Sequence, residues 1–378
     1  MSSPDFTIDE YERRLERAHR HMRAMDLDAL FFTTEAEMSY FTGFRTLFWQ
    51  SPTRPWFLVL PHGARPIAVI PLIGGALMSA TWVEDTRVWS SPHADDDGIT
   101  LLTDALKGAS RIGMPMGRES MLRMPLSDFE RLRVALRSAE FVDATPIVQA
   151  LRMVKSPAEI EKIARICAIA SAAFAEAPRL FSKGQRLDDA FRAFRIELLR
   201  QGAEDVPYLV GGAEPDGYAD VISPAGSQRL SHGDVLMLDT GARRQGYFCD
   251  FDRNFAIGRA SDAARKAYAT LCRATDAALD RARPGVRCCE LYDIMASELG
   301  EESGDVGRLG HGLGLQLTEP PSIVPFDETP LEPGMVITLE PSMQVVPGKV
   351  MVHEEIIVVR DGAPELLSRR APNELPIL

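Results

Sequence analysis

The chain lacks the features that mark several protein classes. Its 378 residues hold five cysteines, Cys167, Cys249, Cys272, Cys288 and Cys289, with no C-x-x-C pair and no even framework. A disulfide scaffold is therefore not indicated, and the pattern reads as reduced thiols in a cytoplasmic protein. Adjacent Cys288 and Cys289 are poorly spaced for a bridge and read as a helix start. No apolar run approaches the roughly 18 residues of a membrane span. Met1 to Phe6 lack a basic n-region and an apolar h-region, so no signal peptide is expected. Positive charge is in deficit: 42 Lys and Arg stand against 54 Asp and Glu, a net −12. That balance argues against nonspecific nucleic-acid binding, which needs a basic face, and suits no anionic membrane surface. With 45% hydrophobic and 25% charged residues, the composition is that of a folded globular chain, not a disordered one.

At roughly 150 residues per domain, this length predicts two or three domains. The first segment opens on a helix, with Thr7 and Glu10 spaced as a capping box and Tyr11, Leu15, Ala18, Met22 and Met25 at helical spacing. The apolar runs 29–32, 56–60 and 66–71 read as strands, the last two flanking a Pro61-His-Gly turn. Alternating strands and helices to about residue 148 predict an α/β domain. Beyond it, Ser156, Pro157 and Glu159 announce a capped helix. Helical patterning runs to about Gln201 and returns over 261–283. Short strands at 235–239, 246–256, 335–340 and 350–359 fill the remainder, which predicts α+β. The expected domains are 1–148 and 149–378.

Acids at the ends of apolar strands carry the chemistry. Val235-Leu-Met-Leu-Asp239 ends in Asp239, and the strand after the Arg243-Arg-Gln-Gly246 turn carries Asp250. A hairpin would bring the two side by side on one face. Met335-Val-Ile-Thr-Leu-Glu340 repeats the pattern, and Val352 to Val359 carries adjacent Glu354 and Glu355. Side chains alternate across a strand, so only one of that pair can face a common site, and spacing does not choose between them. Four converging carboxylates would repel and take up protons unless cations offset them. Two divalent metal ions balance four carboxylates. His311, flanked by glycines in Leu309-Gly-His-Gly-Leu-Gly314, is a further candidate ligand that adds no charge.

These motifs, in this order and spacing, resemble the creatinase/aminopeptidase P/prolidase family of pita-bread metallopeptidases. The resemblance rests on Leu238-Asp-Thr-Gly241, Gly246-Tyr-Phe-Cys-Asp-Phe-Asp-Arg253, Gly310-His-Gly-Leu-Gly314, Pro333-Gly-Met-Val-Ile-Thr-Leu-Glu-Pro341 and His353-Glu-Glu355, covering roughly residues 150 to 365. Leu27-Asp-Ala-Leu30 and Tyr40-Phe-Thr-Gly-Phe44 are similar to the family's preceding domain. The resemblance implies an α+β pita-bread catalytic domain after an α/β creatinase-type N-terminal domain. It implies a dinuclear site of two divalent transition-metal ions, Mn, Fe, Co or Zn, held by Asp239, Asp250, His311, Glu340 and Glu354. Glu340 and His311 would act in catalysis, with a metal-bridging hydroxide as nucleophile and Glu340 moving its proton. Glu355 becomes a supporting or outward-facing residue. Tyr208, Tyr218 and Asp220 fall in the loop that supplies substrate contacts. In the family one subunit's first domain can cover its partner's site, so Arg45 or Trp49 could reach a substrate, and a homodimer is expected.

Two departures bear on substrate. Peptidases of this type usually carry a histidine seven residues after the first; here that position is Thr318. Another usually precedes the first metal aspartate by about seventeen residues; here that position is near Ile222, and 203–231 contain no histidine. Asp252 stands where threonine is common, and either tunes the site or pairs with Arg253 or Arg243. The expected function is hydrolysis of C–N bonds in Xaa-Pro dipeptides or other short peptides. The alternatives are a hydrolase or lyase of a small zwitterion of the creatine, ectoine or dimethylsulfoniopropionate type, and a non-catalytic peptide-binding module.

Overall fold

Apolar runs form the inner strands of the first sheet because β-branched and aromatic residues fill a surface buried on both faces. Ala29–Phe32 (β1) is buried throughout. It pairs antiparallel with Phe57–Pro61 (β2) and parallel with Arg111–Met114 (β5). Ile67–Pro71 (β3), Asp85–Trp89 (β4) and Glu140–Asp143 (β6) complete a six-stranded mixed sheet in the order β4-β3-β2-β1-β5-β6. The computed structural model describes residues 6–51, 54–300 and 307–378; the leader expectation falls mostly on residues outside these. The chain divides into the units Met1–Arg152 and Met153–Leu378, the first α/β and the second α+β. Among the described residues no helix is long and apolar enough to cross a membrane.

The capping box expected at Thr7 does not form. The Thr7 side chain makes no cap hydrogen bond, Glu10 N bonding the Thr7 carbonyl instead, and the Glu10 carboxylate that would return the bond is taken by Arg13 at 2.8 Å and Arg14 at 3.1 Å. The box at Ser156 and Glu159 is complete and opens the helix Pro157–Ala175. The helices Ala177–Leu180 and Leu187–Gln201 continue the expected helical stretch in separate pieces.

In the second unit, Asp205–Val210 (β7), Ala213–Pro215 (β8), Asp234–Arg244 (β9), Tyr247–Phe248 (β10) and Phe251–Ala256 (β11) form one sheet around β9. A second sheet runs Glu319–Ser322 (β13), His311–Gly312 (β12), Val336–Leu339 (β14), Glu355–Val358 (β17) and Glu365–Leu366 (β18); Ser342–Val346 (β15) and Lys349–Val352 (β16) make a separate hairpin. The core joins both sheets to the helices Asp262–Arg281 and Cys288–Leu299, through residues such as Met237, Leu271, Leu291 and Ile337.

Two expected strands are broken, and each break takes a buried carboxylate, Asp250 or Glu354, out of the ladder. The run 246–256 is interrupted at Cys249-Asp250, and the run 350–359 at His353-Glu354. In the second break, side chains take over from a strand partner. The Tyr218 hydroxyl accepts from Val352 N at 2.7 Å, Asn254 Nδ2 donates to Val352 O at 2.7 Å, and Arg253 Nη1 donates to Glu354 O at 2.8 Å. Buried backbone groups stay paired while Glu354 leaves the ladder.

Candidate metal centre

The two-residue turn Gln245-Gly246 sets where the aspartates lie. Both residues have positive φ, 50° and 83°, the type I′ geometry that matches hairpin twist. The resulting register puts Asp252, not Asp250, directly opposite Asp239. This corrects the side-by-side pairing of Asp239 and Asp250; Asp250 lies one step off the end of β11.

His311 arrives from the second sheet. Its flanking glycines are steric requirements: a Cβ at Gly310 (φ +150°) would meet Thr338 O at 2.3 Å, and one at Gly312 would meet Pro320 O at 2.3 Å. Nδ1 lies 2.8 Å from Gly312 O. A carbonyl only accepts, so Nδ1 carries the proton and Nε2 presents its lone pair to the site. Nε2 is 3.4 Å from Asp250 Oδ2 and 3.6 Å from Glu340 Oε2. The wholly buried Thr338 hydroxyl accepts from His311 N at 3.1 Å and donates to Glu340 Oε2 at 3.3 Å.

Asp239, Asp250, His311, Glu340 and Glu354 line one cavity of about 380 Å³. Among the described residues, the group able to converge on a single ion is Asp250, His311 and Glu354. All three are buried, with donor atoms within 4.8 Å of one another. The electrostatics are those of crowded, buried acids. Burial, then the Glu340 charge, push the Asp239 carboxyl up to about 7, against the Tyr208 hydroxyl and the Thr240 N–H. Burial and the neighbouring acids raise Asp250 and Glu354 well above the carboxylate range. Asp239 Oδ1 and Glu354 Oε1 are buried with no hydrogen-bond partner, a costly state that a cation would relieve. Orphan oxygens, four acids and a correctly tautomerised imidazole fit hard divalent ions.

Glu355 has a separate role. It is fully buried and is reached by Arg253 Nη2 at 2.9 Å, Arg370 Nη1 at 3.4 Å, Ala371 N at 2.8 Å and the Ser368 hydroxyl. Burial would raise its pKa, but Arg253 and these donors hold it below the usual value. Glu355 thus ties the strand beyond Glu354 to Arg253 and is not outward-facing. His353 is buried and kept neutral, its pKa lowered to about 3 chiefly by burial.

The substrate-contact candidates separate. Tyr208 and Thr318 line the cavity, and the Tyr208 hydroxyl bonds Asp239. Tyr218, expected in the substrate loop, is wholly buried and holds Val352 N and Asn254 from behind. Asp220 spends its carboxylate on Ile222 N and Ser223 N in its own turn. Trp49 belongs to the first unit, where it packs against Trp56 and Arg123. Arg243 pairs with Asp205, whereas Arg253 bonds Glu355 and its charge also acts on Asp252, against the burial that raises the Asp252 pKa well above the carboxylate range. Sequence reasoning missed Arg308, which lines the cavity and lowers the Asp250 pKa against the dominant burial effect. Its position three residues before His311 was the available signal.

Comparison with known proteins agrees with this architecture. Residues 161–361 match the metallopeptidase family M24 model and residues 14–154 the creatinase/prolidase N-terminal domain. A probable dipeptidase PepE of Mycobacterium tuberculosis is 28% identical over 100% of this chain and 99% of its own. An Xaa-Pro dipeptidase of Pyrococcus furiosus is 26% identical over 94% and 97%. The crystal structure of dipeptidase PepE from Mycobacterium ulcerans superposes with a TM-score of 0.85 at 30% identity, covering 98% of this chain and 99% of that one.

Proposed function

Because the chain belongs to metallopeptidase family M24, whose members use divalent metal ions, and carries a creatinase/prolidase N-terminal domain ahead of a pita-bread domain, we propose that it is a dinuclear dipeptidase acting on Xaa-Pro or related dipeptides. The convergence of Asp250, His311 and Glu354, with orphan oxygens on Asp239 and Glu354, carries this reading. Asp239, Asp250, His311, Glu340 and Glu354 would hold two ions. When bound, such ions supply an acidified water as nucleophile and polarise the scissile carbonyl.

The chain's own groups do the rest. Glu340, partly open to the cavity and oriented by the Thr338 hydroxyl, takes the proton of the attacking water and passes it to the departing nitrogen. The Gly312 carbonyl fixes the His311 tautomer. Tyr208 orients Asp239 and offers its ring to the substrate. Val221, Ile222, Met237 and Leu317 give the cavity apolar walls that limit water. The reading includes a homodimer, after the family pattern, and a cytoplasmic location, which suits five free thiols.

A second reading rests on Ile222 and Thr318, which line the cavity where peptidase histidines are common. It gives the site a small zwitterion of the creatine, ectoine or dimethylsulfoniopropionate type. Metal-loaded protein assayed against Xaa-Pro dipeptides and these zwitterions separates the two. Dipeptide cleavage supports the first; zwitterion turnover without peptide cleavage overturns it.

A further inference from the structure

The sheet of the first unit ends in two strands that pair on one side only, β4 and β6. Among the described residues, no strand or isolated bridge pairs with the outer side of either. An open edge is a template for another strand, and charged side chains usually guard it. β6 carries only acids, Glu140 and Asp143. β4, Asp85-Thr-Arg-Val-Trp89, carries one charge of each sign on either side of Thr86.

Symmetry limits what β4 can meet in its own copy. A twofold axis perpendicular to the sheet joins two copies of a strand antiparallel and keeps each face on its own side. Side chains that oppose each other across the join share a face, so one residue meets its own copy at the axis. Centring the axis on Asp85 or Arg87 opposes like charges. Centring it on Val88 puts Arg87 opposite Trp89 and forms no ion pair. Centring it on Thr86 puts Asp85 opposite the partner's Arg87, twice by symmetry, and opposes no like charges. Opposite charges in facing positions stabilise a ladder, and like charges destabilise it. Within β6 no register yields an ion pair. In one chain Arg87 already bonds Asp85 at 3.0 Å and Asp104 at 2.9 Å. The Thr86-centred join extends the Asp85–Arg87 pair into a ring of four alternating charges.

The two faces of β4 differ. Trp89 is buried with Ile99 and Leu102, and Arg87 reaches Asp104 on the same side. Val88 points the other way, toward the segment 72–78 that follows β3: a Cβ at Gly75 would lie 3.5 Å from Val88 Cγ1. Leu72, Ile73, Leu77 and Val88 are all exposed, Leu72 by 62%. Clustered apolar side chains of this kind mark an interaction surface. The Thr86-centred axis sets both copies of this patch on one face of the join.

We propose that the open edge of β4 is a self-association surface whose partner is a second copy of this chain, joined antiparallel about Thr86. The homodimer expected above has no assigned surface; β4 supplies one, and the chemistry of the metal centre does not depend on it. The test uses full-length, metal-loaded protein. Thr86→Cys places two thiols at the axis, where facing Cα atoms lie about 4.5–5.5 Å apart, within disulfide reach. Val88→Cys is the control, since its two copies lie four residues apart along the join, roughly 13 Å. Oxidation with diamide should crosslink Thr86→Cys to a dimer on a non-reducing gel and leave Val88→Cys and wild type uncrosslinked. By sedimentation velocity wild type should be a dimer. Arg87→Asp opposes like charges at the join and should raise the dissociation constant about tenfold or more. Adding Asp85→Arg to that variant restores opposite charges in facing positions and should restore the dimer. A monomeric wild type overturns the proposal. So does a dimer that Arg87→Asp leaves unchanged, or one in which Val88→Cys crosslinks as readily as Thr86→Cys, because the chains then meet through another surface or register.

Discussion

Stripping the metal from this protein should make its melting temperature respond to acid through Asp239. Without metal, burial and the Glu340 charge push the Asp239 carboxyl up to about 7, from an ordinary 3.8. A carboxyl whose folded pKa lies above its unfolded value binds its proton more tightly when folded. The resulting stabilisation is absent above pH 7 and grows as pH falls toward 3.8. Between pH 8 and 5.5 it amounts to about 2 kcal/mol, at roughly 1.4 kcal/mol per unit. For a folding unit of this size that is about 4–8 °C. His353 works in the opposite direction. Its folded pKa is lowered to about 3 from 6.5, so the unfolded chain takes up the proton first. Its contribution falls by about 1.4 kcal/mol over the same interval. The assay is therefore a double difference: melting temperatures of metal-free wild type and metal-free Asp239→Asn at pH 8 and 5.5. His353 cancels between the two proteins, and wild type should gain the 4–8 °C relative to the variant on acidification. Equal pH dependence in the two proteins would refute the claim that Asp239 is held against repulsion in the empty site.

Glu340→Gln should retain metal, by elemental analysis, yet lose about 10²- to 10⁴-fold in kcat, the usual share of a positioned acid–base group. Arg253→Met should destabilise the second unit by about 3–5 kcal/mol in urea unfolding, because it leaves Glu355 buried with its main counter-charge removed and unties the carbonyls of Asp252 and Glu354. Gly310→Ala should lower both metal content and stability, since its Cβ would meet Thr338 O at 2.3 Å; wild-type metal content in that variant would contradict the close approach described for His311.

Much of the site was legible because burying a carboxylate at the end of an apolar strand demands a reason. Asp239 and Glu340 stand out in the sequence for that physical cause, as does His311 between its glycines. Strand alternation could not choose between Glu354 and Glu355, because the strand is broken there. Tyr218, Asn254 and Arg253, all distant in sequence, supply the hydrogen bonds that hold the break open. The register of Asp239 was readable in principle, since Gln245-Gly246 fits a two-residue hairpin turn that pairs it with Asp252. The glutamate half of the Thr7 box failed through competition: Arg13 and Arg14, on the same helix face as Glu10, offered its carboxylate charged partners. Arg308 was missed because its one signal was proximity to His311, and it is the pairing of β12 with β14 that brings its segment to the acids.

The central claim is that the five converging residues hold two metal ions. Elemental mass spectrometry of protein purified without chelators or a metal-affinity tag tests it most directly. The account predicts about two equivalents of a transition metal per chain, lost in Asp239→Ala. No metal in the purified protein, and no uptake on adding Mn, Fe, Co or Zn, would contradict it.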